Sequence, residues 1–298
     1  MDEIYLTLGS RSLRSGEPAQ GKYNRDKIPS FIGNWSEQGL LTVLTPEIDY
    51  GPVDKLLHAL IQESNRTGIN SNTRILYLDD DVIYPPHLVQ SLYLASERHP
   101  KSAVAFSGSK LRSHFRQIKH SNERRDCHPN LYFRLGGVDC HKDLEVDIVQ
   151  GFMGVMVRLG FFNVSKFVEL VRDDTMPLGV RKSDDWLISA HLESRNVKRV
   201  LVPPHDASVD NAPQLNPVAS KKDALSGYGM HENSMTAAWY LQQRLGIWTN
   251  YTFANVSAFS EDMLDLLYCE AGLAKRCPNG KKYLSVTAKL DQALNIST

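Results

Sequence analysis

Residues 74–85 read RILYLDDDVIYP. The apolar run ending at Leu78 has the length of a buried strand and is too short for a helix. Asp79, Asp80 and Asp81 follow it directly. Three adjacent carboxylates repel one another, and a strand end offers them no intrinsic counter-ion. The carboxyl ends of the strands are where open α/β sheets bind ligands. A divalent cation would offset the repulsion, and hard oxygen ligands suit Mg²⁺ or Mn²⁺. The competing reading is a solvated acidic turn or helix cap.

Outward from this run, strand and helix signals alternate. Ile4–Leu8 and Leu40–Leu44 read as buried strands. Pro52 opens a helix with Val53, Leu56, Leu57, Leu60 and Ile61 on one face, the spacing of an amphipathic helix. His87–His99 is helical with Leu88, Leu92 and Ala95 inward, and Ala103–Phe106 is the next strand. This β-α-β-α-β order predicts an α/β fold, a mostly parallel sheet with helices on both faces. Residues 108–145 are rich in Lys, Arg, His and Asn and show weak periodicity. Val146–Val149 and Val197–Val202 read as strands, Trp186–Arg195 and 233–245 as helices, and the last 50 residues are irregular.

Composition sets outer bounds. The chain has 298 residues, 42% of them apolar and 23% charged, so a packed core is within reach. Lys plus Arg equals Asp plus Glu at 34 each, which removes the overall electrostatic footprint of a duplex-binding protein. No nucleic-acid partner is expected. No stretch approaches the roughly 18 apolar residues of a membrane span. The N-terminal stretch MDEIYLTLGSRSLRSG lacks the pattern of a signal peptide. Cys127, Cys140, Cys269 and Cys277 form no C-x-x-C pair, which disfavours a structural zinc site. Six N-x-S/T sequons, at Asn34, Asn65, Asn163, Asn250, Asn255 and Asn295, exceed chance and hint at a Golgi or ER lumen. The missing signal favours the cytoplasm.

Three further segments bear on the acidic run. Gly51-Pro52 shapes a turn, and the helix behind it points its N–H groups outward. Asp49 and Lys55 flank that turn and could meet a base and a phosphate, or be a simple turn and a surface lysine. Gly151 and Gly154 bracket a strand-to-loop transition where backbone can approach a ligand, or where glycine merely packs. Ser183-Asp184-Asp185-Trp186 stands at a helix start, where Asp is commonly a cap.

The ordered set YLDDDVIYP (77–85), DIVQGFMGV (147–155) and SDDWLISAHL (183–192) resembles nucleotide-sugar glycosyltransferases of the GT-A fold, of the inverting, family-2-like kind. DYGPVDKLLHAL (49–60) is similar to the turn before the acidic motif in a subset of them. The likeness spans about residues 4–205. It implies a single GT-A, Rossmann-like domain. In it, 1–107 would be the nucleotide-sugar half, 108–205 the acceptor and catalytic half, and 206–298 an irregular C-terminal extension. By the resemblance, Asp81 is the direct metal ligand and Asp79 reaches the ribose or a metal-bound water. Asp80 touches the donor sugar or a neighbouring cation. Asp185 is the catalytic base, with Asp184 beside it. His205, just after VKRVLV (197–202), is the late metal-ligating His, with His231 in GYGMHEN (227–233) as rival.

The expected reaction is metal-dependent transfer of a sugar from a nucleoside diphosphate to a hydroxyl of a glycan acceptor. UDP is the common nucleotide of this fold. A faint resemblance to the small glycan-building transferases of large algal viruses brings UDP-xylose into view. Lys55, with Arg11 or Arg14, would add positive charge near the diphosphate. Trp186 and Tyr228 could stack on sugar rings, although core packing suits aromatic side chains as well. Rival classes are a nucleotidyltransferase or phosphatase, and a sugar-binding module without catalysis.

Overall fold

The computed structural model describes residues 3–9, 29–66, 70–80, 82–111, 135–136, 143–203 and 230–251. In chain order the first half contains β1 (Tyr5–Thr7), α1 (Ser30–Glu37), β2 (Thr42–Leu44), α2 (Asp54–Ser64), β3 (Arg74–Tyr77), α3 (Leu88–Arg98), β4 (Ser102–Ala105) and β5 (Ser107–Ser109). The second half contains β6 (Leu135–Gly136), β7 (Leu144–Val146), β8 (Ile148–Val149), β9 (Val155–Arg158), α4 (Val164–Val171), α5 (Leu178–Arg181), α6 (Asp184–Ser194), β10 (Lys198–Leu201) and α7 (Met230–Leu245). The fold is mixed α/β.

The expected β-α-β-α-β order is present, but the sheet is not mostly parallel. The central sheet runs β3-β9-β4-β10-β7. Only β4 and β10 are parallel neighbours within it; β9 lies antiparallel to both β3 and β4, and β7 antiparallel to β10. The physical reason lies in the heading of β8 and β9. Both run against β4 and β5, with Ile148 beside Ser109, Val149 beside Gly108, Val155 beside Ala105 and Met156 beside Val104, so the chain keeps one direction through the single 3₁₀ turn Gly151–Met153 and through Gly154 at φ +89°. That heading carries Val155–Arg158 between β3 and β4, with Val157 beside Ile75 and Met156 beside Leu76. β1 and β2 pair in parallel as a separate two-stranded sheet and are half-buried rather than buried, with Leu40 and Ile4 exposed. Val146–Val149 is two short strands, not one: β7 pairs with β10, while β8 joins β5 and β6 in a three-stranded sheet.

Strand alternation sorts the core into two layers. Val104 on β4 and Phe106 just after it face Leu88, Leu92 and Ala95 of α3; Ala103 and Ala105 face the other way, toward Leu56, Leu57 and Leu60 of α2 and Leu187 and Ile188 of α6. Period-2 alternation requires this split. All four residues of β4 and of β9 are buried, as expected for strands covered on both faces. A leucine buried as Leu92 is contributes about 1.5–3 kcal/mol. The helix expected over 233–245 begins at Met230, so part of the 206–298 segment is regular. It packs Ala237, Ala238 and Leu241 into the layer that holds α2 and α6. No helix among the described residues is long and apolar enough to cross a membrane.

Candidate active site

α2 starts where local chemistry places it. Gly51 sits at φ +102°, a conformation that L side chains rarely adopt. The Gly51 N–H donates to Asp49 Oδ1 (2.7 Å) and the Tyr50 N–H to Asp54 Oδ2 (3.0 Å), closing the entry turn. Asp49 thus shapes the turn, and it packs so close to Gly9 that a Cβ there would lie 2.4 Å from its own Cβ. The turn sets Lys55 in the first helical turn with its side chain directed toward the end of β3. Its ammonium stands 2.5 Å from Asp79 Oδ1 and 2.7 Å from Asp184 Oδ2.

Asp79 follows β3 and is pinned by Tyr84. The Asp79 N–H donates to the Tyr84 hydroxyl (3.0 Å), which in turn reaches the carbonyls of Asp79 (3.2 Å) and Phe152 (3.0 Å). One phenol therefore ties the acidic run to the glycine turn. α6 enters from the opposite side. Ser183 makes no side-chain cap; its hydroxyl donates back to the Gly179 carbonyl (2.9 Å). Asp184 turns to Lys55, and Asp185 Oδ1 accepts the Gly151 N–H at 2.9 Å. The helix is held at this depth by Ser189, whose hydroxyl accepts the Val149 N–H (3.0 Å).

Lys55, Asp79, Gly151, Asp184 and Asp185, read from four separate segments, meet at the carboxyl end of β3. The electrostatics follow from packing three carboxylates around one ammonium. Burial and then the neighbouring Asp184 charge push the Asp185 carboxyl up to about 8, against the pull of Lys55 and the Gly151 N–H. Burial opposes the charged form of Lys55, but Asp184, Asp79 and Asp185 outweigh it and hold the ammonium well above the usual lysine range. Tyr77, an inward residue of β3, has Lys55 5.7 Å from its ring centroid. Its hydroxyl is buried with no hydrogen-bond partner among the described residues. Burial and Asp185 raise it well above the usual phenol value.

The remaining candidates fall elsewhere. Asp80 is exposed beside the site. Gly154 serves the turn: a Cβ there would meet Leu78 at 3.1 Å and Leu92 at 3.2 Å on the α3 side. Trp186 is buried edge-to-face against Trp248, 5.7 Å between centroids, which is core packing. Asp81, His205, Arg11, Arg14, Tyr228 and the four cysteines lie outside the described residues, and the His231 side chain with them. Among the described residues no group of three His, Cys, Asp or Glu side chains is disposed to hold a metal. Asp79, Asp184 and Asp185 outnumber the one ammonium among them, and carboxylate oxygens are the donor type that hard cations take. Sequence reading missed Tyr77 and Tyr84. Their only signal is position, one inward on the strand and one five residues after Asp79.

No family model matches the chain, and no curated protein matches it.

Proposed function

We propose that the chain is a metal-dependent, inverting glycosyltransferase of GT-A type. It would move a sugar from a nucleoside diphosphate, UDP first among them, to a hydroxyl of a glycan acceptor. The supporting observation is the convergence of Asp79, Lys55, Asp184 and Asp185 on the Gly151 turn at one sheet end. That is where an α/β sheet binds ligands.

In this reading Asp185 removes the proton of the acceptor hydroxyl. The Gly151 N–H on Oδ1 fixes the carboxylate's direction, and a carboxyl raised to about 8 is a stronger base than an ordinary aspartate. A positioned base of this kind contributes roughly 10²–10⁴ in rate. The acceptor oxygen bonds to the anomeric carbon as the bond to the diphosphate oxygen breaks. One in-line displacement inverts the configuration. Lys55 supplies a positive charge beside the departing diphosphate. Asp79, with Asp81 and His205, would hold Mn²⁺ or Mg²⁺, whose chemistry when bound is Lewis-acid stabilisation of that leaving group. Asp184 holds Lys55 in line.

The test is incubation with UDP-sugars, a mixed glycan acceptor and Mn²⁺, reading UDP release and the anomeric configuration of the product. Acceptor-dependent release with inversion is expected. A retained configuration removes Asp185 as the base, and no release with any donor removes the transferase reading.

A further inference from the structure

Tyr84 lies beside the site, its ring half-buried against the layer that α3 covers. Its hydroxyl accepts the Asp79 N–H at 3.0 Å and stands 3.2 Å from the Asp79 carbonyl and 3.0 Å from the Phe152 carbonyl. A phenol has one proton to donate, so these two carbonyls compete for it. The Phe152 carbonyl is the nearer of the two, and it belongs to a separate segment. Phe152 follows Gly151 in the 3₁₀ turn, and the Gly151 N–H holds Asp185 Oδ1 at 2.9 Å. The Asp79 backbone, the Tyr84 hydroxyl, the turn and the Asp185 carboxylate thus stand in series. A hydroxyl that accepts at one end and donates at the other strengthens both bonds. The entry of the turn has its own anchor on β5: the Gln150 N–H donates to the Ser107 carbonyl at 3.0 Å, and the Ser107 hydroxyl donates to Gln150 Oε1 at 2.9 Å. Loss of the phenolic hydroxyl would therefore release the crest of the turn and leave its base in place.

We propose that Tyr84 is a positioning residue: by joining the Asp79 backbone to the Phe152 carbonyl, its hydroxyl fixes the spacing between the acidic run and the Asp185 carboxylate. It acts through the turn and not on the substrate. Asp79 stands on the donor side of the reaction proposed above and Asp185 on the acceptor side, so this spacing is the distance across which the sugar must move. Without the hydroxyl, Asp185 keeps the Gly151 N–H, but the turn that carries that N–H is no longer tied to Asp79. A misplacement of about 1 Å costs on the order of 10² in rate. Donor binding draws on other groups, so the cost falls on turnover.

The effect on rate rests on the glycosyltransferase reading; the linkage of the two backbone segments does not. Tyr84→Phe keeps the ring and removes the hydroxyl. With the UDP-sugar and metal that the native chain uses, kcat should fall at least about tenfold and the donor KM should change less than about twofold. Added to Asp185→Asn, the same change should cost less than about threefold, because residues that act as a unit are not additive. A native kcat in Tyr84→Phe, a loss carried by KM, or a full tenfold loss on top of Asp185→Asn overturns the positioning role. Amide hydrogen exchange, read by NMR on the full chain labelled with ¹⁵N-glycine and ¹⁵N-aspartate, needs no activity. In Tyr84→Phe the Gly151 and Asp79 amides should both lose at least about tenfold in protection. Unchanged protection at Gly151 overturns the linkage. If Tyr84→Phe does not fold, the native chain decides: the two amides should open together, with equal dependence of exchange on denaturant, and unequal dependence overturns the linkage. No transfer by the native chain with any donor overturns the glycosyltransferase reading, and the exchange comparison then decides the linkage by itself.

Discussion

The backbone N–H of Gly151 donates to Oδ1 of Asp185 across 2.9 Å, joining residues 34 positions apart in the chain. This bond links the 3₁₀ turn between β8 and β9 to the first turn of α6. It leaves the carboxylate with a fixed direction. Asparagine at position 185 can still accept the Gly151 N–H through its amide oxygen, but cannot act as a base. Asp185→Asn is therefore expected to lower turnover at least about a hundredfold, with the KM for donor little changed, because proton removal is a transition-state contribution. Steady-state kinetics at saturating acceptor checks it; equal losses in kcat and donor affinity would make Asp185 a binding residue.

The same carboxyl gives a pH signature in metal-free protein. Its value is raised from 3.8 to about 8 by burial and by Asp184. The folded state thus holds a proton that the unfolded chain releases near pH 4. This contribution to stability is complete below about pH 4 and is lost as pH rises through about 8. Thermal unfolding in EDTA should show the native chain losing stability relative to Asp185→Asn between pH 5 and 9. A constant difference across that range would mean an ordinary carboxylate.

His191 works in the opposite direction at acid pH. Its ring is buried, stacked on Phe162 at 5.3 Å, and its Nε2 accepts the Asn163 N–H at 3.3 Å. Burial and then Arg195 lower its value from 6.5 to about 4. A group kept neutral in the fold costs stability as pH falls from 6.5 toward 4, here on the order of 2–3 kcal/mol. His191→Gln should flatten the acid limb of the stability curve. An unaltered limb would assign acid sensitivity to other groups.

The two glycines of the turn should separate site from scaffold. At Gly151 a methyl group meets the far end of Lys55 at 2.6 Å and the Tyr77 ring at 3.1 Å, so Gly151→Ala should displace the lysine and impair UDP binding, with a smaller stability loss than at Gly154 because its nearest contact is a side-chain end. At Gly154 the backbone stands at φ +89° against Leu78 and Leu92, so Gly154→Ala should cost about 1–3 kcal/mol. Denaturant midpoints and UDP titrations on both variants measure the contrast. Equal stability losses would contradict it.

Much of the site was legible because its residues carry their reasons locally. Charge crowding marked Asp79 after an apolar strand, and the Gly51-Pro52 turn placed Lys55 at a helix start. The pair Asp184-Asp185 opened a helical pattern. What could not be read was direction. Val155–Arg158 reads as a strand whichever way it points, and only its pairing shows that it runs antiparallel between β3 and β4. The break inside Val146–Val149 was hidden for a related reason: both halves are apolar, and only pairing to different neighbours separates them. Tyr77 and Tyr84 were invisible as site residues because an aromatic near a strand end satisfies core packing equally well. α1 escaped notice because it buries none of its residues, Phe31 and Trp35 being about half exposed.

The most direct measurement is a thermal-shift panel of nucleoside-diphosphate sugars, each with Mn²⁺ and with EDTA. A ligand that binds only the folded chain stabilises it by RT ln(1 + [L]/Kd), so 1 mM donor with a Kd of about 10 μM adds about 2.7 kcal/mol. The account predicts a shift with one UDP-sugar that EDTA abolishes and Mn²⁺ or Mg²⁺ restores. Absence of any shift across the panel, or one that persists undiminished in EDTA, would contradict a metal-dependent nucleotide-sugar site at the end of β3.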